Sequence, residues 1–257
     1  MTLSPIPRVL STFRKRGVKT LLMGGQACIL YGAAEFSRDI DFAVAVSGAN
    51  LQKLRAALRD LEAESVLFPS LSERVLRRGH ACHFRCLAPG LNRLRIDLMS
   101  RMRGVAPFHR LWRRREELAL PRIGRVAVMA LPDLVHAKKT QRDKDWPMIR
   151  RLLEADIVRV GERATSDRIR FWLEECRTPA LLVELVRENP RAAKIVAKKR
   201  PAVRAALENR TSRIERALDS EVNRERRKDR IYWKPLMREI ERWRLGRKRL
   251  NDEMSER

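Results

Sequence analysis

Residues 21–46 read LLMGGQACILYGAAEFSRDIDFAVAV, and the fold turns on this stretch. A short apolar run over residues 18–23 stops at Gly24-Gly25, where glycine permits positive φ and close backbone approach. Residues 26–31 then read as a helix and residues 39–46 as a second strand. Strand side chains alternate with period two. Asp39 and Asp41 therefore share one face, while Ile40, Phe42, Val44 and Val46 share the other and can enter a core. The two carboxylates stand roughly 6–7 Å apart along the strand. Like charges that close raise each other's pKa unless a cation lies between them. Mg²⁺ takes one or two carboxylates plus phosphate oxygens, which suits the pair. Backbone N–H groups where a helix starts favour phosphate, so Gly24 and Gly25 are a candidate phosphate cradle.

A third carboxylate follows from the same arithmetic. In residues 94–99, LRIDLM, Ile96 and Leu98 face a core and Asp97 faces away. If this strand lies beside the first, Asp97 joins Asp39 and Asp41, and three carboxylates can hold two metal ions for an in-line phosphoryl displacement. Residues 80–87 pair with residues 94–99 around Pro89-Gly90, and residues 125–129 read as a further strand. Asn50 caps a helix that runs to Leu61, with Leu51, Leu54 and Leu58 at helical spacing. The class is α+β, a small mixed sheet with helices.

Past residue 130 the pattern is helical. Asp133 opens a helix through His136 and Thr140, on which Leu134, Lys138 and Arg142 share a face. Pro147 suits a first helical turn, Ser166-Asp167 opens another helix, and Pro179, Pro190 and Pro201 punctuate the rest. Residues 211–257 read as exposed, charge-alternating helices docked by Tyr232, Trp233, Leu236, Ile240 and Trp243, with a frayed end. The expected organisation is a core over residues 1–130 and a helical region over residues 131–257. Within the latter, residues 131–160 complete the cleft and residues 161–257 extend it.

Taken together, these motifs resemble the minimal nucleotidyltransferase superfamily, the polymerase-β-like fold, in its bacterial toxin-type branch related to the AbiEii and MenT proteins. That pattern runs as a hydrophobic strand, a glycine pair, a helix ending in Tyr-Gly, Arg-x-Thr-x-Asp-x-Asp, and a later strand with a third Asp. Gly24-Gly25, Tyr31-Gly32, Ser37 in place of Thr, Asp39, Asp41 and Asp97 match it. Glu35 stands where the family has arginine, and Arg38 is the cation nearest in sequence. Lys138 matches a helical lysine of the family and Lys144-Asp145 a Lys-Asp pair. The resemblance covers about the first 155 residues. It implies a nucleotidyltransferase that moves NMP from an NTP such as ATP to an acceptor, RNA or tRNA foremost, as the toxin of a toxin–antitoxin pair. Asp39, Asp41 and Asp97 would hold Mg²⁺ or Mn²⁺, and Gly24, Gly25, Ser37, Arg38, Lys138 and Lys144 would contact the nucleotide. Lys138 would also offset charge on the leaving pyrophosphate. Two other readings stand beside this one: nucleotidylation of a protein or small molecule, and a non-catalytic nucleic-acid-binding or partner-binding module on the same fold.

Composition narrows the partners. Among 257 residues, 44% are hydrophobic and 35% charged, which excludes a disordered chain, and no apolar run reaches the length of a membrane span. The first residues lack an apolar leader and the four cysteines lack framework spacing, so a reduced, cytoplasmic setting is expected. A net charge of +25 favours a polyanion, and Arg113, Arg114 and Arg115 beside Trp112 are the candidate nucleic-acid contact. His80, Cys82, His83 and Cys86 have zinc-like spacing, but a strand puts Cys82 and Cys86 on one face and His83 on the other. Buried thiols are the better reading there, and Cys28 and Cys176 read as core residues. The tryptophans read as packing anchors.

Overall fold

The computed structural model describes residues 5–66 and 68–255. In chain order the elements are α1 (Ile6–Lys15), β1 (Thr20–Met23), α2 (Gly24–Leu30), β2 (Asp39–Val44), α3 (Gly48–Asp60) and β3 (Ala63–Ser65). Then come α4 (Glu73–Arg78), β4 (Cys82–Cys86), β5 (Arg95–Met99), α5 (Phe108–Arg114), β6 (Glu116–Leu120) and β7 (Gly124–Val128). Helices fill the remainder: α6 (Leu131–Ala137), α7 (Asp145–Val160), α8 (Ser166–Glu175), α9 (Pro179–Glu188), α10 (Pro190–Ala197), α11 (Pro201–Leu207) and α12 (Thr211–Ser255). The class is α+β, a mixed sheet followed by a helical C-terminal region.

Chain contacts divide the molecule into two compact units, each discontinuous in sequence. The first comprises Met1–Ala27, Phe36–Ala137 and Ile231–Arg257, and the second Cys28–Glu35 and Lys138–Arg230.

The first unit is built on a seven-stranded sheet in the order β3-β4-β5-β2-β1-β7-β6. β2 pairs with β5 and β1 with β7 in parallel, and the other neighbours are antiparallel. Residues in register across neighbouring strands share a face. One row runs Val128, Leu22, Phe42, Leu98, Cys82, and each of these is at most 2% exposed. Phe13 of α1 stacks on Phe42 with ring centroids 4.7 Å apart. Burying a side chain of that size stabilises by about 1.5–3 kcal/mol. Ser47 caps α3 by accepting from Asn50 N–H, and the Asn50 amide is buried, tying Lys19 to Ala45. The cap is therefore one turn earlier than Asn50, whose side chain is used inside.

Several expectations from sequence change in the structure. The helix expected through Thr140 ends at Ala137, so Leu134, Lys138 and Arg142 do not share a helical face. The reason is Asp145, 1% exposed, which accepts from Thr140 Oγ1 at 2.5 Å and Arg142 Nε at 2.8 Å and lies 3.4 Å from Lys138 Nζ. Those bonds fold residues 138–144 into turns ahead of α7. Separate helices are expected over residues 211–257, and the described part, Thr211–Ser255, is one helix with Pro235 inside it. Residues 256–257, part of the expected frayed end, lie outside the described residues.

In the second unit, α7 to α11 and the start of α12 pack around Trp146, Ile149, Trp172, Leu182, Val203 and Ile214. Asp156 is 1% exposed and accepts from Arg159, Arg168 and Trp172 Nε1. Among the described residues no helix is long and apolar enough to cross a membrane.

Candidate active site

The sheet's other face carries the charge. β2 and β5 run parallel with Asp41 opposite Asp97 and Asp39 opposite Arg95. Antiparallel β4 places His83 opposite Asp97 and Arg85 opposite Arg95. The result is a row Met23, Asp41, Asp97, His83, beside a second row Asp39, Arg95, Arg85, Glu64. Asp39, Asp41 and Asp97, 56 residues apart in sequence between the second and third, thus meet on one face of adjacent strands.

The β1–α2 junction closes over the same face. Gly24 has φ +66°, and a Cβ there would overlap the Asp41 carboxylate. A Cβ at Gly25 would overlap the Ser37 hydroxyl. Both glycines are therefore required by close approach, and they bring backbone against the acidic strand. Ser37 Oγ donates to Asp39 Oδ1 at 3.0 Å, and Gln26 Nε2 lies 3.3 Å from the carbonyl oxygens of both Ser37 and Asp39. Arg38 and Glu35 are exposed.

Arg95 was not anticipated as a site residue. Its Nε donates to Asp97 Oδ1 at 2.7 Å and its Nη2 to Asp97 Oδ2 at 2.8 Å, a two-pronged pair. Nη2 also lies 3.0 Å from His83 Nδ1, and His83 Nδ1 lies 2.8 Å from Asp97 Oδ1. Burial pushes the Asp97 carboxyl up, but the hydrogen bonds from His83 and Arg95, with their charges, outweigh it and hold it below its ordinary value. The Arg95 guanidinium is pushed up chiefly by its hydrogen bond to Asp97, with the charges of Asp97, Asp39 and Asp41 adding to it. One cation therefore feels all three carboxylates. Period two put Arg95 on the Asp97 face, so the signal was present in the sequence.

Arg95 bears on what the face can hold. Among the described residues no three His, Cys, Asp or Glu side chains gather as a metal ion would need. Asp97 is committed to Arg95 and His83. Asp39 and Asp41, i and i+2 on one strand face, fit the one or two carboxylates that Mg²⁺ takes when phosphate oxygens complete its shell. The Asp39–Asp41 pair fits a divalent cation whose remaining ligands come from other oxygens, and Asp97 is held by Arg95 and His83.

Lys138 and Lys144 belong to the second unit, where Lys138 faces Asp145 and Lys144 is exposed. Arg114 grips Asp133 through Nε at 3.1 Å and Nη2 at 2.7 Å. Arg115 bonds Glu117 and lies over the Trp112 ring, 4.3 Å from its centroid. Arg113 is exposed. Cys82 and Cys86 are buried on the core face, and burial pushes their thiols up to about 12 and about 11. Buried His80 bonds Glu239 through Nε2 at 2.8 Å, so it does not join His83.

No family model matches this chain, and no curated protein matches it. Among solved structures it is similar to a crystal structure of a "putative nucleotidyltransferase from H. pylori", at 12% identity and a TM-score of 0.37, over 84% of this chain and 94% of that one. A likeness that slight carries no argument, and the fold stands on the strand order and register above.

Proposed function

We propose that this protein is a metal-dependent nucleotidyltransferase that moves NMP from an NTP to an acceptor hydroxyl. The observation that supports it is the parallel register of β2 and β5, which sets Asp41 beside Asp97 with Asp39 on the same face, under the Gly24-Gly25 junction. In this reading Asp39 and Asp41 hold Mg²⁺ or Mn²⁺ together with the triphosphate. The cation, when bound, neutralises charge on the phosphates and polarises the reacting one. Gly24 and Gly25 let the phosphates approach the backbone, and Ser37 and Arg38 contact the nucleotide. Asp97 remains ionised, because His83 and Arg95 hold its pKa down. It accepts the proton of the acceptor hydroxyl as that oxygen bonds to the α-phosphorus and the bond to pyrophosphate breaks.

The acceptor in this reading is RNA, tRNA foremost. The net charge of +25 supports it, as does the exposed Arg113. The toxin role with an antitoxin partner rests on the family resemblance, and the cytoplasmic setting on four cysteines without framework spacing. A second reading has its own observation: Asp97 is neutralised by Arg95, as in a fold kept for binding RNA or a partner without catalysis.

The test is incubation with Mg²⁺, α-labelled NTPs and total RNA, alongside Asp41→Ala. Label on RNA with the wild type alone supports the enzyme. RNA retained without label transfer supports the binding module, and label on protein or a small molecule moves the acceptor.

A further inference from the structure

Arg177 links α8 to α9 in the second unit, and its side chain is only 8% exposed. Its guanidinium lies against the Trp146 ring, 4.7 Å from the centroid. Nε and Nη1 are both buried and have no hydrogen-bond acceptor. The neighbouring carboxylate, Glu221, has Oε2 3.5 Å from Nη1 but is already gripped by Arg200, at 3.0 Å on Oε1 and 3.1 Å on Oε2. Arg200 also donates to the carbonyl oxygens of Leu173 at 2.6 Å and Cys176 at 2.7 Å. Two guanidiniums thus share one carboxylate, and only Arg200 is satisfied. Burial, then the charge of Arg200, pushes the Arg177 guanidinium below its ordinary value, against the opposing charges of Glu221, Glu175 and Glu225. Buried donors without acceptors are rare in folded proteins, and a buried charge needs a counter-charge.

A cavity of about 410 Å³ adjoins this group. Six basic and four acidic side chains line it, a surplus of two positive charges. Three of the four acids have cations of their own: Lys139 bonds Glu175 at 2.5 Å, Arg200 holds Glu221, and Lys228 bonds Glu225 at 2.9 Å, while Glu174 is exposed. Lys199 and Arg224 are exposed members of the lining. A guanidinium fork matches the oxygens of phosphate or carboxylate, and a surplus of two charges suits a dianion.

We propose that the Arg177 cavity is a phosphate-binding site, taking inorganic phosphate, pyrophosphate or the terminal phosphate of a nucleotide among the Arg177, Lys199 and Arg224 side chains that line it. Lys199 and Arg224 steer the anion in. The site needs no metal and does not depend on the carboxylate face of the sheet.

Isothermal titration of the full chain in EDTA tests this, with inorganic phosphate, pyrophosphate and ATP as separate probes. Saturable binding to the wild type is expected, at least tenfold weaker in Arg177→Met and at least threefold weaker in Arg224→Glu. Preference for ATP assigns the site to a nucleotide, and preference for the inorganic anions assigns it to free phosphate. Melting supplies a second readout: pyrophosphate raises the midpoint of the wild type and not that of Arg177→Met. If that variant does not fold, the exposed Arg224→Glu decides. No saturable binding of any probe by the wild type, or wild-type affinity in the variants that fold, overturns the proposal.

Discussion

Replacing Arg95 with Gln removes a cation that feels all three carboxylates. In the metal-dependent account this side chain competes with the divalent ion. A pair of unit charges about 4 Å apart at an effective dielectric near 20 interacts by about 4 kcal/mol. The Arg95 side chain is 41% exposed, so solvent screening reduces its hold on the site to about 1–2 kcal/mol. Each 1.4 kcal/mol is about tenfold in affinity. Arg95→Gln is therefore expected to bind Mn²⁺ about tenfold more tightly than the wild type at neutral pH. Electron paramagnetic resonance of free Mn²⁺ reads this directly, with no nucleotide and no turnover. Equal or weaker Mn²⁺ binding by Arg95→Gln refutes the competition. Mn²⁺ binding by neither protein refutes the metal site itself.

Three further outcomes follow from the geometry. Asp97 titrates below the ordinary carboxyl value, so the unfolded chain takes up that proton first and stability falls as pH drops below about 4; Arg95→Gln raises the Asp97 pKa, read by carboxyl-carbon NMR. Gly24→Ala strains a φ of +66° and drives a methyl into the Asp41 carboxylate, which lowers stability by at least about 1–3 kcal/mol in chemical denaturation. Asp156→Ala strips a 1%-exposed carboxylate from Arg159, Arg168 and Trp172 and costs about 3–5 kcal/mol, and a loss under 1 kcal/mol contradicts the buried network.

The acidic face was legible because it obeys period two. Asp39, Asp41 and Asp97 alternate with Ile40, Phe42, Ile96 and Leu98, and every one of those apolar residues is at most 2% exposed. Arg95 and His83 obey the same rule, yet an arginine or histidine on an open face carries no mark of its partner until register puts it opposite a carboxylate. Residues 116–120, EELAL, have the composition of a helix and form β6 because β7 offers them a ladder, Leu118 against Val126. The helix expected through Lys138 failed on a nonlocal fact, the Asp145 carboxylate that collects Thr140 and Arg142. Arg177 was invisible for a related reason. Its burial comes from elements distant in the chain, and among 57 basic residues nothing singled it out.

The central claim is that Asp39 and Asp41 grip a divalent ion carrying a nucleotide. A crystal grown with Mn²⁺ and a non-hydrolysable NTP, measured at the manganese edge, tests it most directly. The account predicts an anomalous peak bridging the Asp39 and Asp41 carboxylates and the triphosphate, with that triphosphate against Gly24 and Gly25. Nucleotide bound elsewhere, or no manganese at these carboxylates while Arg95 stays on Asp97, contradicts it.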